Sequence, residues 1–129
     1  MWKDVLVHPF RTAVEAGDID AAVGLLADDV VFRSPVVYRP YEGRPAVELI
    51  LRAVFRVFED FRYEAEIGAE QAADHVLVFR ARVGEREVHG ADFIHTGPDG
   101  LIDEFTVMVR PMSGMHALAE AMRAQLEPA

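Results

Sequence analysis

The order of the periodic segments is the strongest constraint on how this chain folds. Apolar residues recur at helical spacing in residues 8–16 and 19–26, and Asp18 is placed to cap the second helix. The longest helical pattern follows Pro45, with an apolar stripe at Val47, Ile50, Leu51, Val54, Phe55 and Phe58. The first half therefore predicts three helices, with one short strand at residues 30–34 that ends at Pro35.

The second half of the chain predicts four strands and a last helix. Residues 61–67 alternate, with one side formed by Phe61, Tyr63, Ala65 and Ile67. A hairpin about Gly84 joins residues 75–83 to residues 86–95, and a turn at residues 98–100 leads to a strand at 101–110. Residues 113–126 form an amphipathic helix. Helices, an antiparallel sheet and a helix predict one α+β domain over residues 1–129.

Composition excludes several classes of function. The formal net charge is −9 at pH 7, whereas nucleic acids and anionic membranes require a basic surface. No apolar run approaches the length of a membrane span, and the N-terminus lacks a signal-peptide pattern, so we expect a cytoplasmic protein. The absence of cysteine excludes disulfides, thiol catalysis and thiolate metal sites. We expect no nucleic-acid partner and no membrane partner.

The histidines do not predict a metal site. His89 and His95 share one face of a strand but lie about 20 Å apart, because a strand rises ~3.3 Å per residue. His75 can lie across the hairpin from His95, which gives at most a pair of ligands. His8 and His116 are isolated, and we expect them at the surface or at a helix end. The expectation is a protein without metal or other cofactor.

Asp92 is the residue most at odds with its surroundings. Aspartate is depleted in strands and is costly on a buried face, yet Asp92 lies in the middle of a predicted strand. Strand alternation places it on an apolar face, where burial raises the pKa of a carboxyl. A neutral carboxyl can donate a hydrogen bond to a ligand. The alternative is a structural role, in which Asp92 accepts hydrogen bonds from Ser34, Tyr38 or Tyr63.

The predicted strand at residues 75–83, which precedes the strand of Asp92, has two possible inward faces. The more apolar set, which we expect to face the helices, is Leu77, Phe79, Ala81 and Val83. The other set then places Arg80 and Arg82 on the outer face of the sheet, beside the charged row at Arg62, Glu64 and Glu66. A register slip of one residue would instead turn both arginines inward.

Three motifs and their order match a known fold family. They are the Ala16-Gly17-Asp18 turn between two helices, the "ADDV" stretch at residues 27–30 and the helix start at Gly43. Over nearly its whole length the chain resembles the nuclear-transport-factor-2-like superfamily, in its SnoaL-like and ketosteroid-isomerase-like branch. The resemblance implies a cone, with three N-terminal helices packed in a strongly curved, mostly antiparallel sheet around a deep apolar pocket. It implies no single function, because the superfamily includes isomerases, hydrolases, cyclases and binding modules.

Most catalytic positions of the resembled enzymes are not matched. Ketosteroid isomerases carry an aspartate base where this chain has Ser34, and a tyrosine donor where it has Phe10. Their second donor, a protonated aspartate, matches Asp92. The final-strand aspartate of the cyclases and epoxide hydrolases falls near Val107, and Asp103 is a further candidate at the mouth of the pocket. A serine without an adjacent base does not abstract a carbon-bound proton near neutral pH, so Asp92 is the candidate catalytic residue.

These patterns leave three hypotheses for function. The first is binding of, or weak action on, a small hydrophobic molecule that bears a carbonyl or hydroxyl group. The second is an isomerase- or cyclase-type lyase that acts through Asp92, and the third is a protein-interaction module whose pocket is filled by its own side chains. The residues expected to line the pocket are Phe10, Ser34, Tyr38, Leu51, Phe55, Tyr63, Phe79, Asp92, Phe105 and Val107.

An apolar strip is expected on the outer face of the sheet. Ala91, Phe93 and Met108 share that face with the charged row, and a patch of this kind is costly in water. The resemblance implies that a homodimer buries the strip. The alternative is that the C-terminal helix of the same chain covers it.

Overall fold

The computed structural model describes residues 7–126 of the chain, which form a curved sheet with helices at both ends. The helices in this part are α1 (Pro9–Glu15), α2 (Ile19–Val23), α3 (Arg44–Val57) and α4 (Met112–Leu126). Its strands are β1 (Leu26–Arg33), β2 (Tyr41–Glu42), β3 (Glu59–Ile67), β4 (Asp74–Val83), β5 (Arg86–Thr96) and β6 (Ile102–Arg110). Residues 1–6 and 127–129, the ends of the predicted domain, lie outside the described residues.

The strands form one sheet in the order β2-β1-β6-β5-β4-β3. Neighbouring strands are antiparallel, except that β1 and β6 run parallel. The predicted α+β class is confirmed, with a curved open sheet and helices at both ends. The sequence predicts a loop at residues 36–43, but Tyr41 and Glu42 pair with β1 as the short strand β2. None of the helices in residues 7–126 is long and apolar enough to cross a membrane.

The N-terminal helices begin and end where local chemistry dictates. The carboxylate of Asp18 accepts a hydrogen bond of 3.0 Å from the backbone N–H of Ala21, which caps α2 as predicted. The predicted extension of this helix to residue 26 is wrong, because Leu26 pairs with Ile102 in the sheet. Gly43 precedes α3 with φ +93°, a conformation that glycine adopts without steric cost.

Strand alternation places the core as predicted in β4. The side chains of Leu77, Phe79, Ala81 and Val83 are buried. Arg80 and Arg82 lie on the outer face, where Arg80 pairs with Glu64 at 2.9 Å and Arg82 pairs with Asp60 at 2.8 Å. The register that turns both arginines inward is therefore excluded.

Alternation fails in the second half of β3. The pairing of β3 with β4 shifts by one residue, from Tyr63 opposite Phe79 to Ala65 opposite Val78. This β-bulge reverses the predicted faces beyond it, because an extra residue exchanges inward and outward positions. Ile67, predicted to face inward, is 61% exposed. Glu66, predicted to face outward, instead accepts a hydrogen bond of 3.0 Å from the backbone N–H of His8.

The outer face of the sheet keeps its apolar strip uncovered. Phe93 is 41% exposed and Met108 is 58% exposed. Helix α4 packs against the opposite, concave face, where Leu118 joins the buried cluster of Ala81 and Val88. The alternative in which the C-terminal helix covers the outer strip is therefore wrong for this chain.

Candidate functional site

An open cavity of about 550 Å³ lies between the concave face of the sheet and the helices α3 and α4. Sites for small organic molecules have volumes of roughly 300–1,000 Å³ and mostly apolar walls. The aromatic side chains on the wall are Phe32, Tyr41, Phe55, Phe58, Phe61, Phe79 and Phe105. The interior of the cone is thus not filled by its own side chains, which counts against the hypothesis of an occluded interaction module.

Ring contacts give one wall of the cavity a fixed shape. The Phe61 and Phe79 rings stack with their centroids 5.0 Å apart, and Phe58 contacts both. Gly90 makes room for this cluster, because a Cβ atom at that position would lie 2.4 Å from Cζ of Phe79. A side chain at position 90 would therefore displace the ring of Phe79, which lines the cavity.

Asp92 is a buried carboxyl on this apolar wall. On the sheet its neighbours are Leu77 in β4 and Val107 in β6, and only 5% of its surface is exposed. Burial raises the pKa of Asp92 to about 8, although a hydrogen bond from Tyr63 acts in the opposite direction with a smaller effect. At pH 7 the carboxyl is therefore mainly neutral and carries a proton that it can donate.

Tyr63 is the hydrogen-bond partner of Asp92 among the described residues. The Tyr63 hydroxyl donates a long hydrogen bond of 3.4 Å to Oδ2 of Asp92. Burial, and then the nearby Asp92 carboxyl, hold the pKa of Tyr63 well above its usual range, so Tyr63 stays protonated and acts as the donor. With its proton on Oδ1, neutral Asp92 can accept this bond at Oδ2 and donate a hydrogen bond from Oδ1 at the same time.

Most residues predicted to line the pocket lie on the cavity wall. They are Ser34, Leu51, Phe55, Phe79, Asp92, Phe105 and Val107. Phe10 is fully buried and packs edge-to-face against Phe105 with centroids 5.1 Å apart, so it supports the wall from behind. Tyr63 is also buried behind the wall. Tyr38 is fully exposed at the tip of its loop and has no place in the cavity.

The predicted helpers of Asp92 are engaged elsewhere. The Ser34 hydroxyl accepts hydrogen bonds from the backbone N–H groups of Val36 and Val37, at 3.1 and 3.0 Å. Asp103 does not lie at the mouth of the cavity, because its carboxylate is 2.6 Å from Nδ1 of His95, whose side chain projects from the other face of the sheet. This hydrogen bond raises the pKa of His95. Neither predicted helper forms a hydrogen bond with Asp92, whose described partner is Tyr63.

Helix α4 contributes polar residues that the sequence reading missed. His116, Glu120 and Arg123 lie on the cavity wall together with the apolar residues Leu118 and Met122. The available signal was their spacing of four and three residues, which places them on one helix face. The prediction treated that helix only as an apolar stripe and expected His116 to be isolated.

Two histidines form a buried pair away from the cavity. The rings of His8 and His75 meet edge-to-face with centroids 5.0 Å apart. His8 caps α1 by accepting a hydrogen bond from the backbone N–H of Phe10, and burial lowers its pKa, with a further effect from His75. The predicted pairing of His75 with His95 is wrong, because His75 faces inward opposite Ile94 whereas His95 projects outward.

One cluster of potential metal ligands occurs on the outer face. Single ligand atoms of His95, Asp103 and Glu104 lie within 4.8 Å of one another. Glu104 forms an ion pair of 3.1 Å with Arg33, and Asp103 is bound to His95. The carboxylates of this cluster therefore already have cationic or hydrogen-bonding partners.

The curved cone with its open apolar cavity defines a protein of the nuclear-transport-factor-2-like fold. The sequence model of the SnoaL-like domain matches residues 7–105. The chain therefore belongs to the SnoaL-like domain family, as its motifs indicated. None of the curated proteins matches it.

Two solved structures are similar to this chain in both sequence and fold. A steroid delta-isomerase from Pseudomonas aeruginosa is 46% identical with a TM-score of 0.84, over 89% of this chain and 84% of that chain. An uncharacterized protein with a cystatin-like fold from Silicibacter pomeroyi DSS-3 is 35% identical with a TM-score of 0.86, over 97% and 89% of the two chains. An NTF-2 like protein of unknown function from Burkholderia xenovorans LB400, 16% identical with a TM-score of 0.64 over 94% of this chain and 89% of that chain, shares the fold.

The pKa of Asp92 predicts a pH-dependent stability. Between pH 4 and pH 8 the folded protein holds a proton that the unfolded chain has released, so the free energy of unfolding falls as the pH rises. Asp92→Asn removes this group, and its stability relative to wild type should increase with pH by up to about 1.4 kcal/mol per pH unit in this window. Denaturant unfolding from pH 5 to pH 8 measures the difference. Asp29→Asn, at an exposed position of β1, is the control and should show the wild-type dependence of the free energy of unfolding on pH. If the free energies of Asp92→Asn and wild type differ by the same amount at every pH, the buried carboxyl is not neutral.

Proposed function

We propose that this protein binds a small hydrophobic molecule that carries a carbonyl or hydroxyl oxygen, and that Oδ1 of neutral Asp92 donates a hydrogen bond to that oxygen. The observation that supports the proposal is a single buried carboxyl on the apolar wall of an open cavity. An apolar wall favours burial of a hydrophobic ligand, and one donor fixes its orientation.

The chemistry of the wall defines the class of ligand. A charged group placed beside Asp92 would lose its hydration without an ionic partner, which is strongly unfavourable. The charged side chains of Glu120 and Arg123 belong to α4 and are exposed to solvent. The ligand is therefore neutral where it meets Asp92, and a polyketide- or terpenoid-like ketone or phenol has the required character.

Two substitutions of Asp92 separate its donor role from its charge. Asp92→Leu removes the donor and should weaken binding of a steroid enone about 5- to 50-fold, because the ligand oxygen is buried without a partner. Asp92→Asn keeps an N–H donor and should bind within about three-fold of wild type. Titration calorimetry at pH 7 measures both affinities, with Asp103→Asn on the outer face as the control. Equal affinities of wild type and Asp92→Leu would exclude Asp92 from the ligand site.

A second candidate function is proton transfer within a bound unsaturated ketone. It is supported by the 46% identity to a protein named as a steroid delta-isomerase. A hydrogen bond from Asp92 to the ketone oxygen would stabilise the enolate that forms when an α-proton leaves. The proton then returns at the γ-carbon. Such a reaction needs a base, and His116 on the cavity wall carries the imidazole that most often serves as a general base in enzymes.

Isomerisation of a β,γ-unsaturated steroid ketone tests this second candidate. The absorbance of the conjugated product measures kcat. Loss of a general base typically lowers the rate of the catalysed reaction by about 10²- to 10⁴-fold. His116→Gln should therefore lower kcat by that factor, with little change in ligand affinity. Glu85→Gln, at an exposed turn position that does not line the cavity, serves as the control and should stay within about three-fold of wild type. Unchanged turnover in His116→Gln would remove His116 as the base, and absence of turnover in wild type would leave binding as the function.

We also propose a homodimer formed through the outer face of the sheet. Ile67, Phe93 and Met108 are 61%, 41% and 58% exposed on this face. The ion pair between Arg80 and Glu64 borders the strip, so the face carries both charge signs and is complementary to a second copy of itself. Burial of the strip against the partner would remove its apolar surface from water.

A single charge in the strip should dissociate the dimer. Met108→Lys puts a charge into the apolar strip of each copy and removes apolar contact, so the dimer should convert to monomer. Leu49→Lys is the matched control, because Leu49 is also 58% exposed but lies on α3. Light scattering after size-exclusion chromatography measures the mass. A wild-type monomer, or a Met108→Lys dimer, would exclude this interface.

A further inference from the structure

Residues 34–37 form a fixed turn at the edge of the cavity. The Ser34 hydroxyl accepts hydrogen bonds from the backbone N–H groups of both Val36 and Val37, at 3.1 and 3.0 Å. Serine side chains commonly fold the following residues into a turn in this way. Pro35 restricts the backbone between them, since its ring fixes φ. The sequence therefore holds both valines in one arrangement.

The two valines are at once part of the wall and exposed to solvent. Val36 and Val37 line the cavity, and their exposed fractions are 41% and 43%. Leu126 at the end of α4 also lines the cavity and is 38% exposed. Apolar surface of this kind gains free energy when a hydrophobic molecule covers it. A ligand confined to the region of Asp92 would leave these side chains in water.

We propose that Ser34 is a positioning residue that holds Val36 and Val37 as an apolar lip of the cavity, and that this lip contacts the outer end of the bound molecule and slows its release. The inference rests on the proposed binding function and specifies its ligand further. The ligand is elongated, with its polar oxygen at Asp92 and an apolar body that reaches the lip. Ser34 thus contributes through the turn that it builds, without exchanging a proton.

Two ketones of different length test the lip. The long probe is a steroid enone with one ketone, and the short probe is a bicyclic octalone that reproduces the two rings next to that ketone. The Val36→Ser, Val37→Ser double variant should raise both Kd and the dissociation rate of the steroid about 5- to 20-fold, because apolar contact is lost. Affinity for the octalone should change by less than about two-fold, because its contacts near Asp92 are intact.

Substitutions of Ser34 test whether its hydroxyl is needed for binding of the long ketone. Ser34→Ala removes the acceptor of two backbone hydrogen bonds. It should weaken binding of the steroid by about 3- to 10-fold and leave binding of the octalone unchanged. Ser34→Thr retains a hydroxyl that can form the same turn and should restore wild-type affinity. The controls are Ser113→Ala and Leu49→Ser, two exposed positions that do not line the cavity. Stopped-flow fluorescence gives the dissociation rates and calorimetry gives the affinities.

The outcomes separate the lip from the binding function. If the lip variants bind both ketones equally more weakly, or bind both as wild type does, the lip proposal is overturned while ligand binding stands. Failure of wild type to bind either ketone would overturn the binding function and the lip together. Selective loss of the steroid, with rescue by Ser34→Thr, supports the lip.

Discussion

The burial of one carboxyl group is the constraint on which the rest of the site depends. Asp92 lies between Leu77 and Val107 on the sheet, and no charged side chain in the described part of the chain pairs with it. Its ionised form is unfavourable there, so the fold keeps it neutral and loses stability as the pH rises. A core of apolar residues alone would avoid this cost. The retained carboxyl therefore argues for a role in binding.

The N-terminal helix contacts the inner core on the same, concave side of the sheet as the carboxyl. Arg11 on α1 lies 5.8 Å from the centre of the Tyr63 ring, and Tyr63 in turn donates to Asp92. Phe10 on the same helix packs against Phe105, a residue of the cavity wall. The contacts of Arg11 and Phe10 connect α1 to both the carboxyl and the wall. The position of α1 is thus coupled to the geometry of the site although α1 contributes no described wall residue.

The sequence predicted the elements of the fold better than the details of the site. Alternation gave the correct inward face of β4 and the place of Asp92 on the concave side, because the more apolar of the two alternating sets of side chains faces the core. The alternation rule failed after Tyr63, where β3 contains a bulge. A bulge depends on how β3 pairs with β4, and the sequence of β3 alone does not reveal it. The fully exposed Tyr38 and the wall residue His116 were misplaced for a related reason. The direction of a loop or of a helix end is set by tertiary packing, which one-dimensional spacing does not contain.

Asp92 and Ser34 both line the cavity, and the roles that we propose for them differ. Asp92 has a single described hydrogen-bond partner, which leaves Oδ1 available to a ligand. The Ser34 hydroxyl already accepts two backbone bonds, so a further demand on its lone pairs would compete with the turn. In the proposed complex the inner end would provide specificity for one oxygen, while the outer end would provide apolar contact. Such a site would select ligands by the distance between a polar end and an apolar body.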